Sequence, residues 1–345
     1  MIRFCRRVQF WKNSVICLIV VFLFWKLQPN PKSSFVLEEH CVQSGWNIST
    51  LSPRNIDFGS SFIVSFANIH KSQKWIYLPK MKNVTWKHDI LMLVVSKTKN
   101  FARRNVLRST WMNKENSEMM KSGRMHALFF VGLVPGDQNL KKLVLEEAEI
   151  HGDMVVVDLE DTYDNLPFKT LALLLYGTSK ASQFKIIGKI DDDVMFFPDQ
   201  LLPMLDRNFV NSNTLSIYGH LSTAEELVLR NKTEPWYVPE TAYNCTVYPV
   251  YVMGPIYLVT KDAASLILDN ANHQQFMTVE DALITGIIAQ KLGIRRYSLP
   301  NVFRHRNDIT EGQDVLAWHV QTKNDSEYKS IFTKKLSEGT SFWHF

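Results

Sequence analysis

The sequence predicts an α/β domain: a Rossmann-like, mostly parallel sheet with helices on both faces, reached through a basic and apolar N-terminal segment. Three observations predict it. From residue 88 onward, short uninterrupted apolar runs alternate with stretches of helical periodicity, the pattern of strands linked by crossover helices. The runs lack apolar/polar alternation, as expected of strands buried on both faces. The fourth run leads into three consecutive aspartates, and sheets of this kind bind ligands beyond the carboxyl ends of their strands.

The first element is an anchor. Val15 to Trp25 is an uncharged apolar run, and Trp11 to Trp25 would form about 22 Å of helix at ~1.5 Å per residue. Lys12 and Lys26 would snorkel outward, with the two tryptophans at the interfaces. A cleaved signal peptide has a similar basic start, but Phe24-Trp25-Lys26-Leu27-Gln28 offers no small-x-small cleavage site. The expected organisation is a cytosolic tail (1–13), a transmembrane signal-anchor (14–27), a stem (28–87) and a lumenal domain (88–345). Residues 62–66 and 75–78 within the stem read as strands packed on the main domain.

In the body, residues 89–96, 125–134, 154–158 and 184–190 read as buried strands, and residues 101–112, 139–151 and 168–181 as helices. The runs cannot be dinucleotide or P-loop sites, because neither GxGxxG nor GxxxxGK[ST] occurs. Nucleic acid is also excluded. Arg3, Arg6, Arg7, Lys12, Lys26 and Lys32 give the first 32 residues a charge of +6, so the rest sums to 33 − 34 = −1. Four cysteines are too few for a disulfide scaffold; Cys41 and Cys245 are the two in the body, and one bridge between them is open. Asn47, Asn83, Asn231, Asn244 and Asn324 each begin an N-x-[ST] triplet, in agreement with a lumenal body.

Four features carry chemistry. Read as extended chain, Asp191 and Asp193 share a face while Asp192 points away. Two converging carboxylates repel unless a divalent cation such as Mg²⁺ or Mn²⁺ joins them, and a diphosphate would complete its shell. Glu280 and Asp281 precede an apolar helical run, as a helix-dipole pair or as a general base at the mouth of a cleft. Arg103, Arg104 and Arg108 lie on one short helix and read as a solvated face, with a phosphate clamp as the alternative. His319 reads as a core histidine.

In order along the chain, these features resemble a family. Arg103-Arg-Asn-Val-Leu-Arg-Ser-Thr-Trp111 is similar to the RRxxIRxTW block of the β-1,3-glycosyltransferases, the galactosyltransferase group that includes N-acetylglucosaminyl members. Phe129-Phe-Val-Gly132, the block from His151 to Thr170, Lys189-Ile-Asp-Asp-Asp-Val194, the block from Tyr248 to Tyr257, and Glu280-Asp-Ala282 continue it. The resemblance spans about residues 88–320 and implies a GT-A type fold, a UDP-sugar donor and a Mn²⁺-dependent, inverting transfer to a glycan acceptor. It implies Asp191, Asp193 and His319 at the metal and Asp281 as the base. Arg103, Arg104 and Arg108 become candidates for donor positioning or local structure. Asn165, Lys169, Lys189 and Asp192 fall on the donor side, and Tyr251, Gly254 and Glu280 on the acceptor side. Expected localisation is the Golgi membrane in type II orientation, and a homodimer is open. Val252-Met253 in place of Cys-Ser, Ala282 for Val, Pro167 for Thr, and Pro255-Ile256 mark a divergent member with an altered acceptor. Rival readings are an inactive glycan-binding protein on the same fold and a metal-dependent nucleotide-sugar hydrolase.

Overall fold

The computed structural model describes residues 69–80, 89–271, 274, 276–320, 322 and 324–337. The expected anchor, the strand at 62–66, Cys41, Asn47 and Asn83 lie outside the described residues. Among the described residues, no helix is long and apolar enough to cross a membrane.

Four strands form the parallel heart of the sheet: β2 (Ile90–Ser96), β3 (Met125–Leu133), β4 (Met154–Glu160) and β5 (Ile186–Asp191). Their continuous apolar sequences match near-complete burial on both faces, as expected of strands covered by crossover helices. Helices α1 (Phe101–Ser109), α2 (Gln138–His151) and α3 (Leu166–Leu175) supply those crossovers. α2 begins at Asp137, whose side chain accepts from the Leu140 amide. It stops at Gly152, whose φ of 64° is left-handed and suits glycine. α3 opens with Pro167 in its first turn, where the missing N–H costs nothing, and from there on it is buried all round, Lys169 and Thr170 included.

The full order is β1-β4-β3-β2-β5-β8-β7-β9, with β1 (Trp75–Tyr77), β7 (Ser216–Leu221), β8 (Val252–Thr260) and β9 (Arg295–Ser298) added to the heart. β1, expected from the stem, does pair with β4, antiparallel. The sheet is mostly parallel as expected: β7 and β9 run in the direction of the heart, and only β1 and β8 run against it. Buried apolar runs report burial, which parallel and antiparallel strands under helices share, so the sequence did not distinguish their directions. A second small sheet, β10 (Val302–Phe303), β11 (Ala317–His319) and β6 (Val194–Phe196), lies beside it.

This topology places the site. From β2 the chain steps outward through β3 to β4, then returns to place β5 on β2's other side. The strand order reverses between β2 and β5, and the crevice beyond their carboxyl ends is where such sheets hold ligands. Val95 pairs with Asp191, so the three aspartates emerge at that point.

Candidate active site

Asp191 closes β5, and Asp192 and Asp193 form the turn into β6. The extended geometry expected for the triple is therefore replaced by a turn, and the three carboxylates take separate partners. Asp191 Oδ1 lies 2.9 Å from Lys189 Nζ. Asp192 Oδ2 accepts from Asn100 Nδ2 at 2.8 Å. Asp193 Oδ2 lies 3.2 Å from His319 Nε2, because β11 pairs antiparallel with β6 and sets His319 opposite Val194. The His319 and Asp193 side chains are 41% and 49% exposed, so the pair faces open space. The core reading of His319 is thereby corrected. Burial acts to raise Asp193, but the hydrogen bond and charge of His319 outweigh it and hold the carboxyl below its usual range; the same hydrogen bond raises His319. Desolvation pushes Asp191 up to about 7, against the charge of Lys189 and with that of Asp193.

No cluster of three or more metal-ligating side chains forms among the described residues. What the chain offers a cation is an exposed carboxylate–imidazole pair with open positions on one side. That mixed oxygen and nitrogen set suits Mn²⁺ or Mg²⁺ completed by ligand oxygens.

Lys189 joins this corner to the next strand. Its side chain is fully buried and its ammonium donates to the Gly254 carbonyl at 2.6 Å; it also stands 3.5 Å from Glu280 Oε2. Burial acts to lower Lys189, but Asp191 and Glu280 outweigh it and keep the ammonium charged. Gly254 is then held from the other side, since its N–H donates to Asp281 Oδ2 at 2.8 Å. That N–H is free of the ladder because the β7–β8 register shifts between Gly219 and Leu221, and Pro255 sits in the irregular stretch where its missing N–H is tolerated. A Cβ on Gly254 would come 3.2 Å from Asp281 Oδ2, tighter than ordinary contact. Asp281 Oδ1 also accepts from the Ala282 amide, which opens a π-helical turn, Ala282–Ile288, in place of the expected α-helix. Such wide turns are frequent at functional sites. Thr285 ties this turn to β8 by accepting from the Val252 amide and donating within reach of the Val252 and Asp281 carbonyls. Desolvation, with the charge of Glu280, pushes Asp281 up to about 6. A carboxylate with that affinity and a spare lone pair on each oxygen is suited to accept a proton near neutrality.

The remaining expected residues divide. Glu280 is 3% exposed and accepts from the Tyr257 hydroxyl at 2.7 Å, so it stands behind Asp281 rather than in the cleft. Tyr251 is 5% exposed and packs edge-on against Tyr248. Lys169 Nζ is buried between Asp161 Oδ1 and the Ser96 carbonyl, and Asp161 Oδ2 accepts from the Thr98 amide and hydroxyl. Asn165 donates to the Glu160 carbonyl. This network fixes the loop leaving β2, the floor of the crevice.

The solvated arginine face is also corrected. Arg104 is fully buried, with Nε and Nη2 on Glu147, and Nη1 and Nη2 on the Ser96 hydroxyl and the Lys97 and Thr98 carbonyls. Arg108 bridges Asp153 and Glu147, and Arg103 Nε stands 2.6 Å from Asp325 with its guanidinium over the Tyr328 ring. Of the two roles expected for them, this geometry supplies local structure. The reason the face is not solvated is that α2 and the last described helix, α4 (Asp325–Ser337), bring acids across it. Asn231, Asn244 and Asn324 are all exposed, and the Asn324 Oδ1 caps α4 by accepting from the Ser326 and Glu327 amides. Cys245 is disulfide-bonded, and Cys41, with which a bridge was left open, lies outside the described residues.

Sequence reasoning missed Asn100, Thr98, Asp161 and Trp236. Asp161 stood inside the quoted block from His151 to Thr170. Asn100 stood at the start of a helix where its type suggests a cap; its side chain serves Asp192 instead.

Comparison with known proteins identifies relatives of this chain. A family model described as Galactosyltransferase matches residues 102–300. The chain is 41% identical over 323 residues to the beta-1,3-galactosyltransferase bre-2 of Caenorhabditis elegans, covering 92% of this chain and 89% of that protein. It is 28% identical over 224 residues to the lactosylceramide 1,3-N-acetyl-beta-D-glucosaminyltransferase of Xenopus tropicalis, covering 63% of this chain and 59% of that one. Among solved structures, the WbbM bifunctional glycosyltransferase is similar at a TM-score of 0.42 and 9% identity, covering 75% of this chain and 51% of the other. The chain belongs to the galactosyltransferase family of hexosyltransferases.

Proposed function

We propose that this protein transfers galactose from UDP-galactose to a hydroxyl of a glycan acceptor in β-1,3 linkage, with inversion at the anomeric carbon. The observation that carries the proposal is the chain of contacts Asp191–Lys189–Gly254–Asp281, which holds a proton-accepting carboxylate at a fixed place relative to the Asp193–His319 pair. The 41% identity to a galactosyltransferase favours galactose as the donor sugar.

In this reading Asp193 and His319 would hold Mn²⁺, which would supply positive charge for the diphosphate leaving group, where negative charge grows in the transition state. Asp281 accepts the proton of the acceptor hydroxyl as its oxygen bonds to the anomeric carbon. The bond from that carbon to the diphosphate oxygen breaks, and its electron pair leaves with UDP. One in-line displacement suffices, so no covalent enzyme intermediate is needed. Glu280 and Lys189 hold Asp281 through Gly254 and do not meet substrate. N-acetylglucosamine is the second donor reading, on the similarity to the Xenopus protein. We place the protein in the Golgi membrane through the apolar segment at 14–27, with its catalytic domain lumenal.

The test is UDP release by the full chain in detergent, with Mn²⁺, each candidate UDP-sugar and a pool of glycan acceptors. Acceptor-dependent release with UDP-galactose and a β-1,3-linked product is expected. Release of free sugar at the same rate without acceptor would instead mark a hydrolase.

A further inference from the structure

The segment between β7 and β8, residues 222–251, is long and firmly built. Arg230 donates to the Val238 and Cys245 carbonyls at 2.7 and 2.6 Å, Leu227 bridges to Val247, and the Tyr243 and Tyr248 rings stack. On this stiff support Trp236 is 52% exposed, although a large apolar ring in water is costly. It is also held in place: its Nε1 donates to the Tyr163 hydroxyl at 2.8 Å, across 73 residues of sequence. Tyr163 is itself 51% exposed and stands in the loop that leaves β4 at the carboxyl edge of the sheet. Two exposed aromatic rings from separate loops, joined by a hydrogen bond, form a preorganised surface.

Their position connects them to the chemistry. Tyr163 stands two residues after Asp161, which anchors the loop leaving β2, and the segment that carries Trp236 runs into β8, whose Gly254 amide donates to Asp281. Burial raises the Tyr163 hydroxyl, the hydrogen bond from Trp236 lowers it and the charge of Asp281 raises it. Each of the two residues keeps about half its surface in solvent. Flat aromatic faces bind the C–H faces of pyranose rings, burying apolar area while leaving the sugar hydroxyls in water.

We propose that Trp236 and Tyr163 form the platform on which the acceptor pyranose stacks, presenting its hydroxyl to Asp281. The inference rests on the transferase reading above and adds the residues that choose the acceptor: a β-linked pyranoside with a continuous C–H face. The Trp236–Tyr163 hydrogen bond sets the orientation of the rings and so the register of the acceptor.

The test uses the full chain with UDP-galactose and Mn²⁺, and p-nitrophenyl β-glycosides of galactose, glucose, N-acetylglucosamine and N-acetylgalactosamine as acceptors. For the best of these, Trp236→Ala raises the acceptor KM on the order of tenfold, from the loss of one ring contact. The UDP-galactose KM and the melting temperature stay unchanged. Trp236→Phe, which keeps a ring but no N–H, recovers most of the loss. Tyr163→Phe, which removes only the hydrogen bond, shifts the ranking among the four glycosides. An acceptor KM that Trp236→Ala leaves unmoved, in a variant that still turns over, overturns the platform. A wild-type protein with no acceptor-dependent turnover on any glycoside or glycan overturns the transferase reading instead.

Discussion

Two charged regions of this protein look alike in the sequence and differ in the structure. The arginines of α1 meet Glu147, Asp153 and Asp325, so their charge is spent on the protein itself. Asp281 accepts one amide on each oxygen and keeps a lone pair spare on each, and Asp193 and His319 remain half exposed. Saturated charge fixes the crevice, and charge with open valence is left for the proposed chemistry. The difference teaches that a charged motif is read by counting the partners the fold gives each group.

Breaking the open side should cost activity and spare stability. Asp281→Asn is expected to lower kcat by about 10²–10⁴, the usual worth of a general base, with the melting temperature unchanged. Asp193→Asn should weaken Mn²⁺-dependent turnover by a similar factor, and excess Mn²⁺ should restore part of it. Breaking the saturated side should do the reverse. Arg104→Met leaves Glu147 buried without its main partner and should destabilise by about 3–5 kcal/mol, read in urea denaturation, while kcat per folded molecule stays near wild type. Gly254→Ala belongs between them. Its Cβ crowds Asp281 Oδ2, so kcat should fall by roughly tenfold with a small loss of stability.

The pH dependence sharpens the same contrast. Asp281 is raised to about 6 and must be ionised to accept a proton, so kcat/KM should rise with pH through about 6 and level off above it. Glu147 and Asp161 shift the other way. Burial acts to raise them, but Arg104 and Lys169 outweigh it and hold both below the usual carboxylate range. Depressed carboxylates add stability that is complete above their unfolded values and lost as pH falls through the folded ones. Acid should therefore silence the enzyme first and melt it later, which activity and circular dichroism on one pH series would separate.

The sheet's heart was legible because strands buried on both faces are apolar for most of their length, and the runs before Ser96, Leu133, Glu160 and Asp191 are, with Lys189 a buried exception. The aspartates were legible as chemistry because they follow such a run. Lys189 was visible only as part of a motif: its partners Gly254 and Glu280 lie 65 and 91 positions away, and no local pattern encodes a pairing of that reach. The arginine face read as solvated because its acids come from α2, α4 and the end of the α2 turn. Trp236 gave no signal, because an exposed tryptophan in an irregular segment has no periodicity to mark it.

The central claim is that Asp281 accepts the acceptor's proton in a crevice that the arginines only support. The most direct test compares acceptor-dependent UDP release from UDP-galactose by Asp281→Asn and Arg104→Met, each corrected for the fraction folded. The account predicts near-complete loss in the first and near wild-type turnover in the second. Turnover retained by Asp281→Asn, or lost by a folded Arg104→Met, would contradict it.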